Sequence, residues 1–303
     1  MNTTTRPEIG NIPTGVPGLD TVLGGGLPEY SFNLIAGAPG AGKTTLAQQI
    51  LFANATAARP ALYFTVLGEP SVKLMRYQQQ FSFFDVTQVP SAVRFLNLSK
   101  EAVSEDLDAV LDRVVKAVKE FKPAFLAVDS FRTIGGHVRP TGETHGHAMT
   151  ELTEFVQRLA QQLTSWEVTS FLLGEYAEAE QRNPVFTVAD GILLLSQATD
   201  RNSVVRKLQV VKARGRAPMP GLHTFRITDA GLQIFPRIPE QTRKRAPQRR
   251  DRLSTGVAGI DEMIGGGVIS GDAVMLTGPA GSGKSTVATQ FIVAGLEAGE
   301  TGV

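Results

Sequence analysis

Residues Ile12–Ala55 and Leu253–Leu296 align without a gap at an offset of 241 residues, and 16 of their 44 positions are identical. Each copy opens on T-G-V-x-G, passes an aspartate (Asp20, Asp261) and three consecutive glycines, and ends on G-x-x-x-x-G-K-[ST]. The likeness starts 25 residues ahead of each glycine-rich loop, so a chance match of two loops does not account for it. The period is too long for a solenoid. It marks a duplicated module, and the two copies have unequal room. Residues 1–235 suffice for a complete domain, 236–252 read as a linker, and 253–303 hold only the opening of a second copy. A stretch that short is expected to lack a core of its own, with its apolar helix Val287–Leu296 in need of cover.

The linker carries seven basic residues, two acidic ones and three prolines in 17 positions. Proline blocks regular hydrogen bonding and like charges repel, so an extended segment is expected, with a nucleic-acid contact as the alternative. In the first copy, apolar runs predict strands at Phe32–Ala36, Ala61–Val66, Ala124–Val128, Thr169–Leu173, Gly191–Leu195 and Lys207–Lys212. Helical periods connect them, as in Leu107, Val110, Leu111, Val114 and Val118, or Leu152, Phe155, Val156, Leu159 and Leu163. Strands alternating with amphipathic helices imply an α/β fold with a mostly parallel sheet between helices. Leu222–Ile227 and Leu232–Phe235, joined by Thr228-Asp-Ala-Gly231, read as a C-terminal β-hairpin.

The loop Gly37-Ala-Pro-Gly-Ala-Gly-Lys-Thr44 lies after a predicted strand and before a predicted helix, the setting of a phosphate-binding loop. Glycine lets successive backbone N–H groups curl around a phosphate without Cβ clashes. Gly40, Ala41, Gly42, Lys43, Thr44 and Thr45 are therefore the candidate nucleotide contacts. Lys43 supplies a cation for the β- and γ-phosphates, and the Thr44 hydroxyl is a Mg²⁺ ligand. Gly281, Ser282, Gly283, Lys284, Ser285 and Thr286 repeat the pattern, with Ser285 as the metal-side hydroxyl. Downstream, Phe125-Leu-Ala-Val-Asp129 is an apolar strand ending in a carboxylate, placed to hold Mg²⁺ through water. ATP and Mg²⁺ are the expected cofactors.

Composition removes other classes. The absence of cysteine excludes disulfides, thiolate zinc sites and cysteine nucleophiles. A net charge of +1 gives no bulk electrostatic case for a dedicated nucleic-acid binder. The N-terminus lacks the apolar core of a secretory signal, and no apolar run reaches the ~18 residues of a membrane span. A cytoplasmic protein without a membrane partner is the expectation.

Together, T-G-V-P-G-L-D and G-G-G-L before the loop, Asp129-Ser130, Lys212-Ala-Arg-Gly215 and Phe225-Arg-Ile-Thr-Asp-Ala-Gly-Leu-Gln-Ile-Phe235 resemble the KaiC family. This is the circadian-clock-type branch of the RecA-like ATPases. The resemblance implies a ring-shaped homo-hexamer with ATP between subunits, and signalling partners among proteins. It implies that Lys212 and Arg214 reach the neighbour's γ-phosphate, and that Thr228 and Asp229 lie against the base and ribose. It also implies Ser/Thr autophosphorylation in some complete two-module members, an autokinase activity that this chain does not carry alone.

Two departures bear on turnover. The family's tandem glutamates after the second strand are not intact here, where the sequence reads Thr65-Val-Leu-Gly-Glu69-Pro70. Leu67 and Gly68 replace the pair in a gapless alignment, whereas a one-residue slip places Glu69 in one of the two positions. Glu69 is then the candidate water-activating base, with a turn residue before Pro70 as the other reading. Slow hydrolysis follows from either. In the second copy nothing follows the helix to supply an acid or a base, so Lys284 and Ser285 are not expected to turn over ATP. Two rival functions stay open: a nucleotide-gated scaffold with little turnover, and a RecA-like DNA-dependent ATPase. Glu175, after a strand, is a candidate γ-phosphate sensor. His137, His145, His147 and Glu143 are read as a loop lining the ring's pore rather than a metal site.

Overall fold

Nine strands form the central sheet, in the spatial order Gly231–Phe235, His223–Thr228, Ser203–Ala213, Gly191–Asp200, Phe32–Gly37, Thr169–Gly174, Phe125–Asp129, Ala61–Thr65 and Val93–Asn97. The computed structural model describes residues 10–66, 71–98, 107–131, 144–176, 184–200, 203–237 and 251–302. These fall into two units, Met1–Pro239 and Glu240–Val303.

In the first unit, β1 (Asn11–Ile12) and β2 (Leu27–Pro28) make a small antiparallel pair around α1 (Leu19–Leu23). The parallel part of the sheet comprises β3 (Phe32–Gly37), β4 (Ala61–Thr65), β5 (Val93–Asn97), β6 (Phe125–Asp129), β7 (Thr169–Gly174) and β8 (Gly191–Asp200). Antiparallel pairing continues through β9 (Ser203–Ala213), β10 (His223–Thr228) and β11 (Gly231–Phe235). The helices are α2 (Lys43–Asn54), α3 (Ser71–Gln78), α4 (Leu107–Phe121), α5 (Thr144–Ser165) and α6 (Pro184–Val188).

Alternation along the strands separates two cores. Phe32, Leu34, Leu62, Phe64, Leu126 and Val128 face one side, against Val110 and Val114 of α4 and Phe155, Val156 and Leu159 of α5. Ile35, Tyr63, Phe125, Ala127, Phe171 and Leu173 face the other, against Leu46 and Ile50 of α2. Helix α2 is buried almost all round, unlike α4, whose apolar stripe covers one face only. The mostly parallel sheet, flanking helices and terminal hairpin agree with the α/β expectation.

The differences lie at the sheet's margins. β5 escaped the sequence reading because it is a half-exposed edge strand (Val93 alone is buried) with no apolar run. β8 and β9 extend beyond the expected bounds as a long hairpin whose β9 residues are mostly half-exposed or exposed. Thr228 pairs with Gly231, so the hairpin turn is Asp229-Ala230 alone.

The second unit contains β12 (Arg252–Leu253), β13 (Val268–Ile269), α7 (Ala258–Met263) and α8 (Lys284–Glu297). Its T-G-V-x-G-I-D segment closes as it does in the first unit. The Thr14 N–H and hydroxyl donate to Oδ1 of Asp20 at 2.9 and 2.6 Å, and Thr255 makes the same pair to Asp261 at 2.8 and 2.6 Å. Both glycine triplets adopt positive φ, at 73°, 119° and 100° for Gly24–Gly26 and 74°, 102° and 106° for Gly265–Gly267. A side chain is strained there, which explains the repeated triplet. Residues 273–278, the counterpart of β3, form no strand. Val274 is 60% exposed and Met275 83%, and α8 has no buried residue.

Candidate nucleotide site

The C-terminal ends of the parallel strands converge, because the sheet register sets Ala36 beside Gly174, Asp129 beside Leu173, and Thr65 beside Asp129. Ligands of open α/β sheets sit at this edge. The chain leaves β3 at Gly37, and Gly42, at φ 100°, is the N-cap of α2. A Cβ on Gly42 would stand 2.9 Å from Cδ1 of Ile227 in β10, so the terminal hairpin packs directly on the loop. Lys43 is buried and donates from Nζ to the carbonyls of Gly37 and Ala38, both at 2.9 Å. Burial pushes the Lys43 ammonium below its ordinary pKa, opposed by the negative charges of Glu175 and Asp129. Glu175 directly follows the last residue of β7.

The Thr44 hydroxyl donates to Oδ2 of Asp129 at 2.6 Å. A hydroxyl and a carboxylate held together at the head of a phosphate-type loop are hard oxygen donors of the kind Mg²⁺ prefers, and the pair fits that ion. The same Oδ2 accepts a second hydrogen bond, at 2.7 Å, from the hydroxyl of Tyr63. Tyr63 is fully buried. Its burial, and then the Asp129 charge, raise its phenol well above the ordinary pKa.

Thr228 and Asp229 close the β10–β11 hairpin. The Thr228 hydroxyl donates to the Gly231 carbonyl at 3.2 Å, and the Asp229 carbonyl accepts from Ser82 N–H at 2.8 Å. The hairpin is tied to α2 by Gln49, whose Oε1 accepts Leu232 N–H at 2.7 Å and whose Nε2 donates to Leu232 O at 3.3 Å.

Lys212 and Arg214 lie at the other end of the sheet. Lys212 pairs with Ile192, which pairs in turn with Leu34, three residues before Gly37. At ~3.3 Å per residue, that register sets Lys212 back from its own loop by about 10 Å along the strand, and Arg214, two residues on, further still. Lys212 donates to the carbonyls of Phe186 and Thr187, at 3.3 and 2.9 Å. Burial, and then the adjacent Arg214 charge, lower its pKa. Arg214 pairs with Asp190 at 3.0 Å.

The second loop repeats the first locally. Gly281 and Gly283 take φ 77° and 84°, Gly283 caps α8, and Lys284 donates to the carbonyls of Gly278 and Pro279, at 2.9 and 2.7 Å. Ser282, Ser285 and Thr286 are exposed. Among the described residues no carboxylate is bonded to Ser285. Glu69, His137 and Glu143 lie outside the described residues, as do the side chains of His145 and His147. Among the described residues no cluster of three or more His, Asp or Glu could hold a metal.

Sequence reasoning missed Tyr63, Gln49 and Asp190. The one available signal was a hydroxyl-bearing residue inside the otherwise apolar Ala61-Leu-Tyr-Phe64 run.

The family model described as "ATPase: KaiC" matches residues 12–238 and 253–303. The circadian clock oscillator protein KaiC of Parathermosynechococcus lividus is 27% identical over 304 residues, covering 97% of this chain and 55% of that protein. The circadian clock oscillator protein KaiC 1 of a Synechocystis strain is 27% identical over 308 residues, covering 98% and 58%. This chain thus spans somewhat more than half the length of these curated relatives. Among solved structures, a KaiC-like protein from Pyrococcus horikoshii superposes with a TM-score of 0.64 at 22% identity, covering 76% of this chain and all of that one. That likeness concerns the fold. No helix among the described residues is long and apolar enough to cross a membrane. With its family model matched over both units, the chain belongs to the KaiC family of ATPases.

Proposed function

We propose that this protein binds ATP with Mg²⁺ at the loop Gly37–Thr44 and hydrolyses it slowly, as the nucleotide-driven module of a signalling or timing ring. The observation that carries this reading is the 2.6 Å hydrogen bond between Thr44 and Asp129. It joins the metal-side hydroxyl and the metal-side carboxylate from elements 85 residues apart. Gly40, Ala41, Gly42 and Thr45 offer backbone N–H groups to the phosphates, aided by the positive end of α2. Lys43 neutralises the β- and γ-oxygens. Mg²⁺, when bound, neutralises phosphate charge beside Thr44 and Asp129. Thr228 and Asp229 flank the base and ribose from the hairpin packed on Gly42. Glu69 orients the attacking water, and Glu175, after β7, senses the γ-phosphate.

Lys212 and Arg214 act on the nucleotide of the next subunit in a homo-hexamer. The register supports this, since neither can serve the loop of its own chain from the opposite end of the sheet. A cation placed where transition-state charge develops is worth far more than one in water. The second loop, with Lys284 and Ser285, binds nucleotide only in a longer two-module protein, where Ser/Thr autophosphorylation belongs. The scaffold alternative is favoured by one observation, the replacement of the tandem glutamates by Leu67 and Gly68. Size-exclusion with and without ATP·Mg²⁺, followed by steady-state turnover of the assembled species, tests both. ATP-dependent assembly with turnover lost in Glu69→Gln supports the enzyme. Assembly with turnover unchanged by that substitution supports the scaffold.

A further inference from the structure

Tyr63 is the fourth member of a cluster that the phosphate-loop motif does not contain. It lies in β4, two residues before Thr65, and Thr65 pairs with Asp129 across the β4–β6 ladder. Period-two alternation therefore turns Tyr63 and Asp129 to the same face of the sheet, the face covered by α2. From α2, Thr44 and Gln48, one turn apart, look onto that face. Gln48 is fully buried, with its amide beside the Tyr63 hydroxyl.

Packing alone does not account for a tyrosine here. Its ring fills the core and lies 5.2 Å from that of Phe95, a task that phenylalanine performs equally well. Burying the added hydroxyl costs free energy unless it finds a partner. Its hydrogen bond goes to Oδ2 of Asp129 at 2.7 Å, the oxygen that also receives Thr44 at 2.6 Å. Two donors from two elements thus fix the rotation of one carboxylate. They are not equivalent, because the Thr44 oxygen is itself a candidate metal ligand, whereas Tyr63 is sealed in the core and has no second task.

We propose that Tyr63 is the positioning residue of the metal-side carboxylate: its hydroxyl holds Asp129 beside Thr44 and so sets how tightly the site takes a divalent cation. This rests on the nucleotide reading above. The test uses the full chain and a fluorescent ATP analogue, titrated with Mg²⁺ in wild type and Tyr63→Phe. The expected result is equal binding in EDTA, a roughly tenfold higher Mg²⁺ concentration for half-maximal enhancement in the variant, and recovery at high Mg²⁺. An unchanged Mg²⁺ dependence overturns the proposal, as does an equal loss with and without Mg²⁺, which would indicate a distorted loop. If wild type binds no analogue at any Mg²⁺ concentration, the nucleotide reading itself fails and takes the proposal with it.

A second measurement does not depend on the folding of that variant. The chain has four tyrosines, and 3-fluorotyrosine labelling lets the Tyr63 resonance be assigned by replacing Tyr30, Tyr77 and Tyr176 with Phe in turn. Adding Mg²⁺ to the labelled, ATP-saturated protein shifts that resonance if Tyr63 holds the metal-side carboxylate. A resonance that stays in place counts against it.

Discussion

Arg214 donates from Nη1 to Oδ1 of Asp190 at 3.0 Å, while Oδ2 of Asp190 accepts the N–H of Phe32, also at 3.0 Å. One carboxylate thus links the proposed trans-acting cation to the first residue of β3, the strand that ends in the phosphate loop. The Arg214 side chain is 61% exposed, and such ion pairs add at most ~1 kcal/mol to stability. Arg214→Ala should therefore leave the melting transition nearly unmoved and lower turnover about a thousandfold. Thermal unfolding and steady-state ATPase on one preparation separate the two effects. Unchanged turnover would make Arg214 an ordinary strand charge.

Placing Lys43 and Arg214 in different subunits has a second consequence. Lys43→Ala and Arg214→Ala rings should each be nearly inactive. Mixed at random one to one, they restore an intact pair at about a quarter of the interfaces. Turnover of the mixture, measured after co-assembly, should approach that fraction of wild type. No recovery would show that the two residues serve the same subunit's nucleotide.

Gln49 is buried and satisfies both polar groups of Leu232, so Gln49→Ala leaves a backbone N–H and carbonyl unpaired at the joint between α2 and the hairpin. A loss of about 2–3 kcal/mol in denaturant unfolding is expected. Nucleotide affinity should fall too, because the same hairpin carries Thr228 and Asp229.

Leu34 and Met275 occupy equivalent places in the repeat, 241 residues apart. Leu34 is fully buried in β3 and Met275 is 83% exposed. Leu34→Ala should cost about 2–5 kcal/mol in this chain, and Met275→Ala within ~0.5 kcal/mol of nothing. Comparable losses would mean that Met275 is covered in solution.

The Tyr63 phenol is raised above its ordinary value of 10.0 in the fold. The unfolded chain gives up that proton first, so the contribution is complete below pH 10 and is lost as pH climbs toward the folded value. The slope is at most ~1.4 kcal/mol per pH unit. The stability difference between wild type and Tyr63→Phe should therefore shrink above pH 10 in denaturant melts. A difference constant from pH 8 to 11 would contradict the assignment.

Much of the site was legible in the residues. Lys43, Thr44 and Asp129 were named from motif spacing, and the structure brings Thr44 and Asp129 into direct contact. Such motifs are local: a strand end, a glycine turn and a helix start are contiguous in the chain, so they can be read along it. Tyr63 could not be read that way. Alternation in β4 assigns it a face, yet only the strand order β3-β7-β6-β4 and the crossing of α2 decide that this face looks onto Asp129.

The sequence alone determined the repeat, the strand–loop–helix unit in each copy and the α/β class, because these follow from short-range sterics and the periodicity of apolar residues. Tertiary structure alone decided which carboxylate meets Thr44, which end of the sheet carries Lys212 and Arg214, and which glycine-rich loop gains a covered strand. Gly37–Thr44 lies at the end of a strand paired on both sides, whereas the stretch before Gly278–Ser285 has no ladder partner among the described residues. Segments that share the same loop motif differ there because strand pairing and core burial depend on residues distant in the chain.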